Sequence, residues 1–355
     1  MMKKLFLAVI FLATIFLSLL LAGYFLVVKK ETLDDFLKMS QENLKKYSLA
    51  ELTGLDPVKD KGTLEVHSKD IKKDSNSYLF LNHLNQLSLE QAKALSQFRG
   101  DHLYLNGVKQ LDEKVAKALS QGNGGSLYLN GLQQLDESTA KALAPRAGWY
   151  LSLSGVQQIN EATAKALSQC KVTQLSLSGV QQVNEATAKA LSQWQCKVLS
   201  LSGIKKLDEA TAKALAQYKG IRLFLDGVQE IDEATAKALS QLKSELFLNG
   251  VQEIDESVAK ALSQFQGKIL FLNGVKQLDE ATAKALVQWK GRNLSLDGVQ
   301  QLNESTAKAL SQWQGEYLWL NGLKQVDEST AKILAQWQGR VFSIKKIEEQ
   351  IQHYK

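Results

Sequence analysis

The sequence predicts an α/β solenoid, a parallel β-sheet on one face and short helices on the other, preceded by an N-terminal transmembrane helix. Three observations predict it. A unit of about 24 residues is written eleven times between residues 79 and 341. Inside each unit a period of two gives way to a helical period. Residues 5–28 form an uninterrupted, largely apolar run.

That run lies between Lys3-Lys4 and Lys29-Lys30, and its 24 residues at about 1.5 Å each exceed the roughly 30 Å hydrocarbon core. A cleaved signal peptide has a shorter apolar stretch and small residues before its cut, whereas Leu20 stands two places before Ala22. Residues 1–30 therefore read as a single-pass signal anchor, with secretion after signal cleavage as the alternative. No Cys follows the run to accept a lipid. Two lysines flank each end, and the free amino terminus tips the balance toward an inside N-terminus. The remaining chain would then be extracytoplasmic, periplasmic or at the cell surface.

Residues 31–78 do not repeat. Leu33, Phe36, Leu37, Leu44 and Tyr47 have helical spacing, which predicts a helix from Thr32 to Tyr47 as a stalk or a cap on the solenoid. Pro57 and the charged stretch from Lys59 to Asp74 predict turns, with Leu64-Glu65-Val66 as a capping strand.

The repeats begin at Leu79. In the copy Leu103-Tyr104-Leu105-Asn106-Gly107, alternation makes a short strand with two leucines turned to a core and two residues to water. Gly107 bends the backbone, and a Gly recurs there in every full copy but the first, which has His83. Asp112 suits a helix N-cap and Glu113 the positive end of the helix, while Ala116 and Leu119 follow on one face. Glu113 and Lys117 stand four apart in the favourable order, as do Glu137/Lys141 and their successors, which predicts a solvated ion-pair face. Burial of five apolar side chains does not offset the entropy of ordering one unit, so only stacked copies fold.

The step is 24 residues except from Leu223 to Leu246, where it is 23. The link Gly122-Asn123-Gly124-Gly125 and Pro145 in the next copy predict a locally softer edge and an early helix stop. A truncated twelfth copy occupies residues 342–355, with Phe342-Ser343-Ile344 as the last strand and Ile347, Ile351 and Tyr354 lining a capping helix. A second aromatic series, Phe98, Trp194, Tyr218, Phe265, Trp289, Trp313 and Trp337, falls three residues after the helix leucine, where it packs between repeats.

These residues carry a resemblance. The unit resembles a leucine-rich repeat of the bacterial 24-residue type, L-x-L-x-G-V/L-x-x-L/I-x-x-x-x-A-x-x-L, over residues 79 to about 344. The common form of that family carries a buried Asn or Cys three residues after the second strand leucine, where this chain has Val108, Leu132, Val156, Val180 or Ile204. The resemblance implies a binding surface on the strand face and no chemistry.

Composition agrees. The formal net charge is +6, and removing Lys3, Lys4, Lys29 and Lys30 leaves +2 over residues 31 to 355. The Lys of each helix faces a Glu, so no basic stripe for nucleic acid is expected. Cys170 and Cys196 lie in successive repeats, where both a disulfide and two buried thiols fit. The four histidines form no metal or catalytic motif, His83 and His102 being the nearest to a cluster. The chain reads as a non-enzyme without a cofactor.

The candidate site is the outward strand face. Between the strand leucines stand Phe80, Tyr104 and Tyr128, then Ser152, Ser176 and Ser200, then Phe224, Phe247 and Phe271, then Ser295, Trp319 and Ser343. The next outward column includes Asn106, Asn130, Asp226, Asn249 and Asn273. Two readings fit. Aromatic strips edged by amides suit a protein or peptide partner, or the flat faces of a glycan; equally, the rings stack to stiffen an envelope spacer.

Overall fold

A computed structural model describes residues 78–355 apart from 99, 123, 124, 344 and 355. The expected membrane segment, the stalk helix and the capping strand at residues 64–66 lie outside the described residues. Among those described, no helix is long and apolar enough to cross a membrane.

Twelve short strands form one parallel sheet in strict sequence order. They are β1 (Tyr78–Phe80), β2 (His102–Tyr104), β3 (Ser126–Tyr128), β4 (Ala147–Ser152), β5 (Lys171–Ser176), β6 (Val198–Ser200), β7 (Arg222–Phe224), β8 (Glu245–Phe247), β9 (Ile269–Phe271), β10 (Asn293–Ser295), β11 (Tyr317–Trp319) and β12 (Arg340–Phe342). A helix follows each strand: α1 (Leu89–Leu95), α2 (Glu113–Ser120), α3 (Glu137–Leu143), α4 (Glu161–Leu167), α5 (Glu185–Ser192), α6 (Glu209–Leu215), α7 (Glu233–Leu239), α8 (Glu256–Leu262), α9 (Glu280–Leu286), α10 (Glu304–Leu310), α11 (Glu328–Gln336) and α12 (Lys345–Gln352). This is a solenoid with the strand-then-helix order that the resemblance to leucine-rich repeats implies.

Each rung repeats the same physics. Leu103 and Leu105 turn inward with Val108, Ala116 and Leu119 into one core that runs the length of the array. Asp112 accepts the N–H of Val115 at 2.8 Å, capping α2, and Asp or Asn does the same for every helix from α3 to α11. The turn glycine is required by proximity, not by a left-handed backbone. A Cβ on Gly107 would stand 2.0 Å from the carbonyl oxygen of Asn82 in the rung before it. His83 occupies this place in the first described rung.

Two expectations change, and one open choice is decided. Pro145 does not shorten its helix: α3 has seven residues, as α4 does, because the proline lies beyond the C-cap Ala144. The last strand is shifted by one residue. Leu318 pairs with Val341 and Trp319 with Phe342, so Val341 and Ser343 turn inward and Phe342 outward. The link after Trp337 is one residue shorter than the link after Trp313, and a one-residue slip exchanges the two faces of a strand. Phe342, and not Ser343, therefore belongs to the outward column. Finally, Cys170 and Cys196 are buried free thiols; burial pushes them up to about 12 and about 11.

The place of the usual buried Asn holds Val108 and its equivalents as far as Leu323, all buried, and the half-buried Leu84 in the first described rung. Two other ladders tie the rungs together. In the outward column, Asn82 Oδ1 accepts the N–H of Asn106, Asn106 that of Asn130, Asn249 that of Asn273 and Asn273 that of Asp297. In the links, Trp289, Trp313 and Trp337 stack at 5.7 Å, and the indole Nε1 of each donates to a carbonyl one rung earlier. Between α3 and β4 this role falls to Arg146, a buried guanidinium that donates to the carbonyl of Leu119 at 3.1 Å.

Candidate surface on the strand face

Strand alternation gives each rung three outward side chains, one before the first leucine and two after it. The structure brings Phe80, Tyr104 and Tyr128 into one stack, with ring centroids 4.4 and 4.1 Å apart. Phe224, Phe247 and Phe271 form a second, at 4.0 and 4.3 Å. All six rings are half-buried. Trp319 stacks on Phe342 at 5.4 Å and reaches Phe271 at 6.4 Å across the buried Ser295. The second strip therefore runs on to the last strand, an outcome hidden in the sequence because Ser295 breaks the column and the final register slips.

The column before the first leucine was not among the candidates, yet it contributes. Tyr78 stacks on His102 at 4.7 Å, and Tyr150 meets Tyr128 edge-on at 5.4 Å. Tyr317 lies beside Trp319 and Phe342, with the guanidinium groups of Arg292 and Arg340 over Tyr317 and Phe342. The signal was present as one more alternation upstream of each strand leucine. His102 is thus a member of an aromatic face, and among the described residues no three His, Cys, Asp or Glu side chains gather to hold a metal.

Stacking decides what the rings offer. Rings on neighbouring strands cover each other's faces along the array, so the interior of each stack shows only ring edges to solvent. Burial within the first stack also pushes the Tyr104 phenol up to about 12. The open faces are at the stack ends. Phe224 has Phe247 on one side and only Ser200 on the other.

The amides are partly committed. Asn106, Asn130, Asn249 and Asn273 each spend Oδ1 on the next rung's backbone. Asp226 Oδ1 accepts both the N–H and the side-chain amide of Asn249. The column is therefore a structural ladder whose remaining polar atoms face solvent.

Between the stacks lies a trough of about 510 Å³, walled by Tyr128, Trp149 and Tyr150 on one side and Phe224 and Asp226 on the other. A zigzag of hydroxyls runs along it: Ser176, Ser178, Ser200 and Ser202 line the floor, and Ser152 and Ser154 continue the chain beyond the lining, with successive oxygens 2.8–3.3 Å apart. The zigzag begins at Asn130 Oδ1, 2.6 Å from Ser152, and ends at Asp226 Oδ2, 3.3 Å from Ser202.

No family model matches the chain, and no curated protein matches it in sequence. Similar solved structures include an internalin (inlF) from Listeria monocytogenes, 16% identical, covering 89% of this chain and 92% of that one with a TM-score of 0.42. Another is the Toll–Spätzle complex of Drosophila, 9% identical over 61% of this chain and 30% of that one, TM-score 0.43. A third is the TLR13–ssRNA13 complex, 18% identical over 75% of this chain and 36% of that one, TM-score 0.40.

Proposed function

We propose that this chain is a non-catalytic recognition scaffold, anchored in a membrane through residues 5–28, that holds a protein or peptide partner on an extracytoplasmic strand face. The observation that carries it is the pair of half-buried aromatic strips set on one continuous sheet, with ring edges outward. Rigid aromatic edges suit the apolar side chains of a protein, and aromatic anchors are among the few residues that hold most of the binding energy in protein interfaces. The flat-face stacking that a glycan needs is available only at the stack ends, which ranks the carbohydrate reading lower.

Anchoring rests on the apolar run of residues 5–28 and its flanking lysines. Nucleic acid falls outside the proposal because each repeated helix lysine from Lys117 to Lys332 follows a glutamate four residues before it, and Lys141, Lys165, Lys284 and Lys332 are ion-paired with theirs. The close ring stacking itself favours one second reading, a structural spacer whose rings only stiffen the sheet.

The test is retention of partners from native membrane extract by the full chain in detergent, beside a variant carrying Phe224→Ser, Phe247→Ser and Phe271→Ser matched for thermal stability. Retention by the parent and loss by the variant is expected. Equal retention, or none by either, moves the assignment to the spacer.

A further inference from the structure

The trough between β3 and β7 has a hydrogen-bonding imbalance that neither aromatic strip shares. Six serine hydroxyls supply six protons, but they are strung through seven oxygen–oxygen links, because both ends, Asn130 Oδ1 and Asp226 Oδ2, are acceptors. Whichever way the hydroxyls rotate, at least one link is left without a proton. The zigzag as a whole asks for a donor from outside.

The walls narrow the choice. Asp226 is the one charged side chain lining the trough, so the site is electronegative. Arg222, beside Phe224 on the same strand, is neutralised by Glu245 of the next rung at 2.7 Å. The ring of Phe224 offers an uncovered face, and Trp149 is 62% exposed at the opposite wall, one of three large apolar side chains exposed among the described residues. An occupant should therefore carry positive charge, several donors and a flat surface. A guanidinium has all three: a fixed charge, five N–H donors and no acceptor, and a plane that stacks on aromatic faces. A lysine ammonium lacks the plane, and a neutral sugar brings acceptors as well as donors and leaves Asp226 unpaired.

We infer that the serine-floored trough is an arginine-binding subsite of the strand face. An arginine side chain of the partner stacks against Phe224 or Trp149 and donates to Asp226 and the serine hydroxyls. The inference rests on the recognition reading above and adds the chemistry of the partner. From Tyr128 to Phe224 the trough crosses four strand spacings, about 19 Å at about 4.8 Å each, room for the side chain and the backbone that carries it.

The experiment titrates the full chain in detergent with a glycine-spaced triple-arginine peptide, its lysine counterpart and a neutral β-linked hexose tetramer, by calorimetry. Asp226→Asn is the principal variant, and Asn already stands at the equivalent place in the rungs of Asn130 and Asn249, so the fold accepts it. Asp297→Asn makes the same change outside the trough. The arginine peptide should bind at least ~5-fold tighter than the lysine peptide, with Asp226→Asn removing that preference and Asp297→Asn leaving it. Equal binding of the two peptides, indifference to Asp226→Asn, binding of the sugar alone, or no binding at all overturns the assignment. Phe247→Ser with Phe271→Ser, which spares the trough wall, separates the two readings. If these changes release the native partner while Asp226→Asn does not, the strand face is a recognition surface without an arginine subsite.

Discussion

Single side chains in the links decide how tightly one rung holds the next. Trp313 is almost fully buried between Trp289 and Trp337, and its Nε1 donates to the carbonyl of Trp289 at 3.0 Å. Phe265 shows that a phenyl ring fits this column, so Trp313→Phe keeps most of the packing and removes the donor. The stranded carbonyl has no access to water, and a loss of about 1 to 3 kcal/mol is expected in urea denaturation; a change below a few tenths would assign the column to packing alone. The sequence showed these rings as core from their spacing behind the helix leucine. It did not show the indole-to-carbonyl bonds, because the acceptor is a backbone atom one rung away, and backbone carbonyls leave no trace in residue type. Arg146 was missed for the same reason: its column place is legible, but the buried carbonyls of Leu119 and Gly122 that hold it are not.

At the scale of an element, the helices depend on their caps. Asp208, Asp232 and Asp279 each accept the N–H of the threonine three residues on, and that bond holds each carboxyl below its ordinary value of 3.8. A carboxylate depressed in the folded state contributes stability above 3.8, and the contribution is lost as pH falls through 3.8 toward the folded value. Asn160, Asn184 and Asn303 make the same bond without titrating. Converting Asp208, Asp232 and Asp279 to Asn should therefore lower the midpoint of acid unfolding followed by circular dichroism while leaving neutral stability nearly unchanged, since Asn and Asp cap about equally well. A midpoint that does not move would place the acid sensitivity elsewhere. These elements were plain in the sequence because each combines a period, a cap and a glycine in fixed order. The strand of the last rung was not: a link one residue short leaves Phe342 and Val341 both plausible as the first inward residue, and only pairing with Leu318 chooses between them.

In the whole molecule, periodicity made the architecture legible and concealed part of the surface. Columns of identical residues announce a solenoid, and they also place Phe224, Phe247 and Phe271 on one line. What columns cannot show is which ring faces are covered, or that six serines in two columns join into one zigzag between Asn130 and Asp226. Both depend on distances across rungs. The same rung-to-rung contact governs how the array unfolds. Stability in a solenoid passes through nearest-neighbour interfaces, so a defect matters by its position. A Cβ on Gly203 would stand 2.4 Å from the carbonyl oxygen of Ser178, and one on Gly322 would stand 2.0 Å from that of Asp297; either forces two rungs apart by backbone contact that no rotamer relieves. Gly203→Ala opens the middle of the array and leaves several rungs on each side, each still holding its own core. Gly322→Ala detaches only the rungs of β11 and β12. Urea unfolding of the first should split into two transitions, each with a smaller dependence on denaturant than the parent, because each exposes only part of the buried surface. The second should keep one main transition with a slightly reduced slope. If both variants unfold in a single step with the parent's slope, coupling runs through the whole array and the rungs are not independent units.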